Sequence, residues 1–145
     1  MIIGFFSRNA FRPAYDVAGL KALREKKSMI TARVGGEQNF SGEQILVGNG
    51  KYYAGTFAIF PQADLHDGLL DICILPRVNL LTLLRCVPGI LFRRKFPEKI
   101  VKRFRAPAFE LTCESPAAFE LDGEWIGHLP VKFSVERERL RVMVP

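Results

Sequence analysis

Three aspartates lie close together near the middle of the chain, in the segment 61–71. Asp64, Asp67 and Asp71 fall within eight residues, and Gly68 follows the second of them. An Asp-Gly pair predicts a tight reversal, because glycine accepts positive φ without steric cost. Carboxylates crowded around one turn repel one another, which favours binding of a hard cation through oxygen ligands. A solvated turn without a ligand is the simpler alternative.

A second Asp-Gly pair stands at Asp122 and Gly123, again between apolar residues, and Glu124 follows it directly. A carboxylate one residue beyond a tight turn is held where a substrate can approach. An exposed turn glutamate without a function is the alternative for Glu124.

Four motifs follow one another in an order that is characteristic of a single protein family. They are LVGNGK at 46–51, PQADLHDGLLD at 61–71, LDGE at 121–124 and LRVMVP at 140–145. Together they resemble the C-terminal domain of the diacylglycerol kinase-like lipid kinases, over about residues 14–145. That family includes bacterial diacylglycerol and lipid kinases and, more distantly, sphingosine and ceramide kinases. The chain departs from the family's pattern at 54–56, where Ala-Gly-Thr replaces a run of glycines.

The resemblance implies ATP-dependent phosphorylation of a lipid hydroxyl. It assigns the proton acceptor to Glu124, with Asp122 beside it. It also implies a mainly structural Mg²⁺, bound by the Asp67 side chain and by oxygens of Asp64 and Leu69. A histidine-based metal centre is not expected, because the two histidines of the chain lie far apart in sequence.

The resembled kinases bind ATP through a separate N-terminal α/β domain with a Gly-Gly-Asp-Gly-Thr-type loop. The sequence contains no such segment. We therefore expect the acceptor-side half of a lipid kinase, inactive alone, with ATP bound only if a separate nucleotide-binding chain supplies the site. A free-standing lipid-binding module and a folded remnant without activity remain the alternatives.

Basic residues are concentrated in the segment 85–105. It carries eight basic residues and one acidic residue, a local charge of +7 against +6 for the whole chain. Aromatic and aliphatic side chains alternate with them, which is typical of a surface that binds anionic lipid. A solvated helical face is the alternative, and no nucleic-acid-binding motif accompanies the charge. The candidate membrane-binding residues are Arg93, Arg94, Lys95, Lys99, Lys102 and Arg103.

The composition indicates one globular domain. The chain has 145 residues, of which 48% are hydrophobic, enough for a sizeable core. Three cysteines without metal-ligand spacing favour a reducing cytoplasm. Arg8 and Arg12 interrupt the apolar N-terminus, so neither a signal peptide nor a membrane span is expected. The predicted location is the cytoplasm, with peripheral contact at the inner face of the membrane.

The elements that must position these residues are mostly short strands. The apolar runs at 57–60 and 69–75 are predicted to flank the first Asp-Gly pair, and 40–47 leads into another strand. A helix is expected at 14–27 after an irregular lead-in at 1–13, with a helical excursion at about 79–104. Many short strands with one such excursion predict a mainly β fold, an antiparallel β-sandwich.

Overall fold

The structure is a computed structural model that describes residues 2–4, 28–52, 58–82, 84–85 and 99–137. Strands dominate these ranges, and helical residues occur at 80–82 and 84–85. The strands are β1 (Ile2–Gly4), β2 (Ile30–Val34), β3 (Gln38–Gly42), β4 (Gln44–Gly48), β5 (Leu70–Leu75), β6 (Lys102–Ala106), β7 (Ala108–Cys113), β8 (Ala118–Leu121), β9 (Glu124–His128) and β10 (Val131–Ser134).

These strands form two sheets that pack face to face. The larger sheet has the order β6-β5-β4-β1-β8-β9, and the smaller sheet has the order β10-β7-β2-β3. Each pairing between described strands is antiparallel. The predicted antiparallel β-sandwich is therefore confirmed.

The main core lies between the two sheets. Alternate residues of each strand point inward, since successive side chains of a strand face opposite sides of its sheet. The large sheet contributes Ile45 and Ile72, and the small sheet contributes Ala32 and Leu111, all at most 1% exposed. Full burial of one large aliphatic side chain stabilises a fold by roughly 1.5–3 kcal/mol. This cluster fixes the relative position of the two sheets.

Strand β5 is buried on both of its faces. Its residues Leu70, Ile72 and Ile74 face the main core. On the opposite face, Cys73 and Leu75 belong to a second apolar cluster with Ile59, Phe60, Ala63 and Val101. The segment before the acidic loop therefore covers the outer face of the large sheet and holds that loop against it.

The chain passes from the small sheet to the large one at Gly42. A Cβ atom there would lie 2.5 Å from the Ile74 side chain and 2.7 Å from the carbonyl oxygen of Leu75. Only glycine permits this approach. The next residue, Glu43, donates its backbone N–H to the same Leu75 oxygen at 3.1 Å. The segment 40–47, predicted to lead into one strand, is thus parts of β3 and β4 in different sheets.

Several predicted boundaries were wrong. The irregular lead-in at 1–13 contains β1, which pairs with β4 and β8 inside the large sheet. The helical excursion expected at 79–104 is helical at 80–82 and 84–85, and its last residues belong to β6. Pairing with β5 explains the difference, because residues 102–106 lie opposite residues 70–74 in the large sheet.

Other predictions lie outside the described residues. These are the helix at 14–27 and the closing motif at 140–145. The predicted strand before the first Asp-Gly pair is only partly described, and its residues 58–60 are irregular. The confirmation of the predicted sandwich therefore rests on the ten described strands alone.

Candidate functional site

The acidic loop at 61–71 is held by contacts to distant parts of the chain. The Oδ1 atom of Asp67 accepts a hydrogen bond from the backbone N–H of Leu69 at 2.8 Å. Its Oδ2 atom accepts a charged hydrogen bond from Arg105 on β6. Its carbonyl oxygen accepts a bond from the guanidinium of Arg137 at 2.9 Å. Asp67 therefore connects the loop to two arginines that lie 38 and 70 residues further along the chain.

Gly68 makes this arrangement sterically feasible. Its φ is +71°, a left-handed conformation that side-chain-bearing residues rarely adopt. A Cβ atom at this position would also contact the Arg137 guanidinium. Glycine is therefore required at position 68 for two reasons: its backbone conformation has a positive φ, and the Arg137 guanidinium occupies the space of a Cβ atom.

Asp71, the second residue of the buried strand β5, shares Arg105 with Asp67. Its Oδ1 atom lies 3.4 Å from Nε of Arg105. Its side chain is 9% exposed, and this burial raises the pKa of Asp71 despite the neighbouring guanidinium. One arginine therefore bridges the two carboxylates that close the loop.

Asp64 occupies the exposed side of the same loop. Its Oδ1 atom accepts the backbone N–H of His66 at 2.9 Å. This hydrogen bond lowers the pKa of the Asp64 carboxyl group. Asp64 is thus held within the loop itself, whereas Asp67 and Asp71 share Arg105. The first Asp-Gly pair lies in an irregular loop and not in the predicted tight reversal between two strands.

The second Asp-Gly pair does form a hairpin. Asp122 and Gly123 connect β8 to β9, with φ values of +50° and +88°. Positive φ at both central residues defines a type I′ turn, whose twist matches that of the flanking strands. Glu124 is the first residue of β9, pairs with Leu121 and is exposed to solvent. The predicted position of Glu124 beside a tight turn is confirmed.

Strand register places the acidic loop and the hairpin turn at the same end of the large sheet. Asp71 lies opposite Gly48 on β4, and Gly48 lies opposite Ile2 on β1. The next residue of β1, Ile3, lies opposite Leu121, so Asp122 continues the same row. Three inter-strand spacings of about 4.8 Å separate the two ends of this row by about 14 Å.

Among the described strands, the hairpin forms an edge of the large sheet, and it exposes apolar side chains. Trp125 and Ile126 follow Glu124 on β9 and are 57% and 49% exposed. Glu120, on the paired strand β8, is partly buried, and this burial raises its pKa. The edge beside Glu124 therefore combines carboxylates with exposed apolar surface.

The described residues do not form a ready magnesium site. The chemistry of the predicted ligands, which are oxygens, suits a hard cation. However, both carboxylate oxygens of Asp67 accept protein N–H groups, one of them from the cationic Arg105. No cluster of three or more His, Cys, Asp or Glu side chains within the described ranges could hold a metal ion. As arranged here, Arg105 stands where a cation would bind Asp67.

Three of the six candidate membrane-binding residues are described, and they differ in exposure. Lys99 lies in a turn and Lys102 on β6, both exposed. Arg103, also on β6, is half-buried and its Nε and Nη2 atoms are inaccessible. Arg93, Arg94 and Lys95 lie outside the described residues. No helix within the described part of the chain is long and apolar enough to cross a bilayer.

Sequence reasoning missed the two arginines that hold the acidic loop. Arg105 was counted with the basic segment, although the alternation of Arg103, Phe104 and Arg105 is also typical of a strand. A strand paired with the acidic β5 would have placed Arg105 opposite Asp71, as the structure does. No local signal points to Arg137, because its contact with the loop spans 70 residues.

Comparison with known proteins agrees with this architecture. A family model described as the YegS C-terminal NAD kinase beta sandwich-like domain matches residues 6–144. The crystal structure of a diacylglycerol kinase from Bacillus anthracis (strain Sterne) superposes with a TM-score of 0.64 over 94% of this chain and 46% of that chain, at 17% identity. This structural likeness shows a shared sandwich fold.

Curated relatives extend the comparison to sequence. A probable lipid kinase YegS-like protein from Xanthomonas campestris is 30% identical over 137 residues, which are 91% of this chain and 44% of the relative. A probable lipid kinase YegS-like protein from Pseudomonas aeruginosa (strain UCBPP-PA14) is 35% identical over 104 residues, 68% of this chain and 32% of the relative. The chain thus spans less than half of the relatives that it matches. It belongs to the family of YegS-like lipid kinase C-terminal domains.

Proposed function

We propose that this chain is the acceptor-side domain of a lipid kinase and that Glu124 is its proton acceptor. The observation that carries the proposal is the register of the large sheet, which aligns the acidic loop with the turn before Glu124. The family membership supports the reaction class, since the curated relatives are named probable lipid kinases.

In this reaction the oxygen of a lipid hydroxyl attacks the γ-phosphorus of ATP. The bond between that phosphorus and ADP breaks, and the hydroxyl proton passes to the Glu124 carboxylate. The type I′ turn fixes the backbone next to Glu124. The side chain of Glu124 is exposed, so it is accessible to the hydroxyl group of the lipid. Asp122, at the turn itself, keeps the site acidic.

The ATP site must come from another domain or chain. Trp125 and Ile126 offer an exposed apolar edge directly after Glu124, and an edge strand of this kind is suited to cover by a partner. A nucleotide-binding domain that docks there would bring ATP to the carboxylate. We therefore expect the isolated chain to be inactive as a kinase.

Purified chain mixed with ATP, Mg²⁺ and diacylglycerol vesicles tests the last point. We expect no phosphatidate above the level of a protein-free control, measured by transfer of radiolabel from ATP. Turnover by the isolated chain would show that it contains its own nucleotide site.

Magnesium at the acidic loop is a secondary part of the proposal. Asp67 would provide its carboxylate, and Asp64 and Leu69 would provide further oxygens, if Arg105 released one Asp67 oxygen. Such an ion would stabilise the loop, and no step of the reaction is assigned to it. Calorimetric titration of Mg²⁺ into the wild-type chain and into Asp67→Asn tests this assignment, with heat lost in the variant as the expected result.

A second candidate is a membrane-surface module without catalysis. Three leucines of the short helical segment, Leu80, Leu81 and Leu84, are 54–60% exposed and precede the basic segment. Exposed leucines next to basic residues suit insertion at an anionic lipid surface, here proposed as the inner face of the cytoplasmic membrane. Co-sedimentation with anionic vesicles at low salt should fall on replacing Leu81 and Leu84 by serine, and on replacing Arg93, Arg94 and Lys95 by alanine.

A further inference from the structure

A cleft of about 540 Å³ opens on the outer face of the large sheet. One wall of the cleft is formed by residues 60–62, where the chain enters the acidic loop. The floor consists of β5 and β6, and Asp71, Arg103 and Arg105 are among the lining residues. Phe60 and Val101 add apolar surface to its walls. This size falls within the usual range of small-molecule sites.

The floor of the cleft carries charged hydrogen-bond donors without partners. The Nε and Nη2 atoms of Arg103 are buried, and neither has a hydrogen-bond partner in the part of the chain that the structure describes. These two atoms form one edge of the guanidinium, whose parallel N–H groups match two oxygens of a single oxyanion. Burial of charged donors without an acceptor is costly, so the edge favours an anionic ligand.

An unsatisfied acceptor lies beside these donors. The Oδ2 atom of Asp71 is likewise buried, with no hydrogen-bond partner within the described ranges. Asp71 pairs with Arg105 and Cys73 pairs with Arg103, two residues along the same pair of strands. Residues two apart share a face of a strand, so Asp71 and Arg103 line the same cleft, with these three atoms just beneath its accessible surface. An oxyanion would satisfy the two donors, and a neighbouring hydrogen-bond donor such as a hydroxyl group would satisfy the acceptor.

We propose that this cleft binds a small hydroxylated phosphoester. Its phosphoryl oxygens accept hydrogen bonds from Nε and Nη2 of Arg103, and a neighbouring hydroxyl donates to Oδ2 of Asp71. Arg105 lies at the same floor, where it pairs with Asp67 and Asp71, so Arg103 provides the donors for the phosphoryl group. The proposal does not depend on kinase activity, and the phosphoester can belong to a soluble metabolite or to a lipid headgroup.

Titration of the full chain, followed by backbone amide chemical shifts, tests the proposal. The probes are glycerol 3-phosphate, inorganic phosphate and glycerol, each at constant ionic strength. We expect saturable binding of glycerol 3-phosphate with shifts centred on β5 and β6, and weaker binding of the other two. Loss of a charged hydrogen-bond pair predicts about tenfold to hundredfold weaker binding by Arg103→Gln.

Two variants separate the site from general electrostatics. Lys132→Gln removes the same charge from an exposed residue of β10 in the small sheet and should bind as the wild type does. Arg103→Lys keeps the charge but removes the pair of parallel N–H donors, so it should bind about as weakly as Arg103→Gln. This variant tests the site even if Arg103→Gln folds poorly. Asp71→Asn should reduce the preference for glycerol 3-phosphate over inorganic phosphate.

A short-chain lysophosphatidate below its micellar concentration distinguishes the two sources of ligand. Binding about tenfold tighter than that of glycerol 3-phosphate would identify a lipid headgroup, whose chain contacts Phe60 and Val101. Equal affinity would identify a soluble phosphoester, and both results support the cleft as a site. Absence of saturable binding, or equal losses in Arg103→Lys and Lys132→Gln, would overturn the proposal.

Discussion

The loop at Asp67 and the turn at Asp122 begin with the same dipeptide but are held in place by different interactions. The loop depends on Arg105 and Arg137, which reach it from distant parts of the chain. The turn depends on two positive φ angles between paired strands. An Asp-Gly pair therefore permits a reversal without deciding its form, and long-range contacts determine the form at Asp67.

The largest expected difference concerns the shared arginine. Arg105→Gln removes the cation from both Asp67 and Asp71, and the Asp71 carboxylate is nearly buried. We expect a loss of about 2–3 kcal/mol in the free energy of unfolding, because a buried charge is left without its partner. Urea denaturation measures this loss. The matched variant Lys102→Gln should change stability by less than about 0.5 kcal/mol, and equal effects would show that the loop does not rely on Arg105.

Alanine at the two glycines compares the steric demands of loop and turn. Gly68→Ala introduces left-handed strain and displaces the Arg137 guanidinium, for an expected loss of about 2 kcal/mol. Gly123→Ala introduces strain alone, because its Cβ would meet no atom within 4 Å, and should cost about 1 kcal/mol. Thermal unfolding of both variants measures the difference, and a more damaging Gly123→Ala would reverse the comparison.

Asparagine in place of each aspartate tests the role of charge. Asp67→Asn weakens the charged bond to Arg105 and should cost about 1–2 kcal/mol. Asp122→Asn creates Asn-Gly, which is favoured in type I′ turns, and should change stability by less than about 0.5 kcal/mol. Chemical denaturation of both variants measures the two losses in the free energy of unfolding. Equal losses would mean that both positions depend on a carboxylate.

The smallest expected effect is the pH dependence at Glu120. Burial raises its pKa above the ordinary value of 4.5. The protonated form is therefore favoured in the folded state, and its contribution to stability is lost as the pH rises through the raised pKa. The stability of the wild type relative to Glu120→Gln should fall as the pH rises above about 4.5. A difference that is constant from pH 4 to pH 8 would contradict this assignment.

The sequence predicted the sandwich and the hairpin because both depend on local pattern. Alternating apolar residues indicate strands, and Asp122-Gly123 between short strands indicates a type I′ turn. The loop at 61–71 could not be predicted in the same way. Its geometry depends on Arg105 and Arg137, whose positions are fixed only after the sheets have formed.

Strand β6 shows a second limit. Its residues alternate basic and partly apolar side chains, and a preceding helical pattern led to the interpretation of 79–104 as one excursion. The end of this segment is a strand because it pairs with β5. Arg105 lies opposite Asp71 in this pairing, and Arg103 lies opposite Cys73. Tertiary pairing thus overrode local periodicity, as is common for short segments.

The central claim, that Glu124 accepts the lipid proton, can be measured in a chimaera. The chimaera joins this chain to the N-terminal portion of the Xanthomonas campestris relative, which lies outside the match, and this chain replaces the relative's own matching portion. We expect the chimaera to phosphorylate diacylglycerol, and Glu124→Gln to lower its kcat by about 10²–10⁴-fold. The exposed Glu114→Gln should leave kcat unchanged. An active chimaera in which Glu124→Gln retains the full rate would contradict the account.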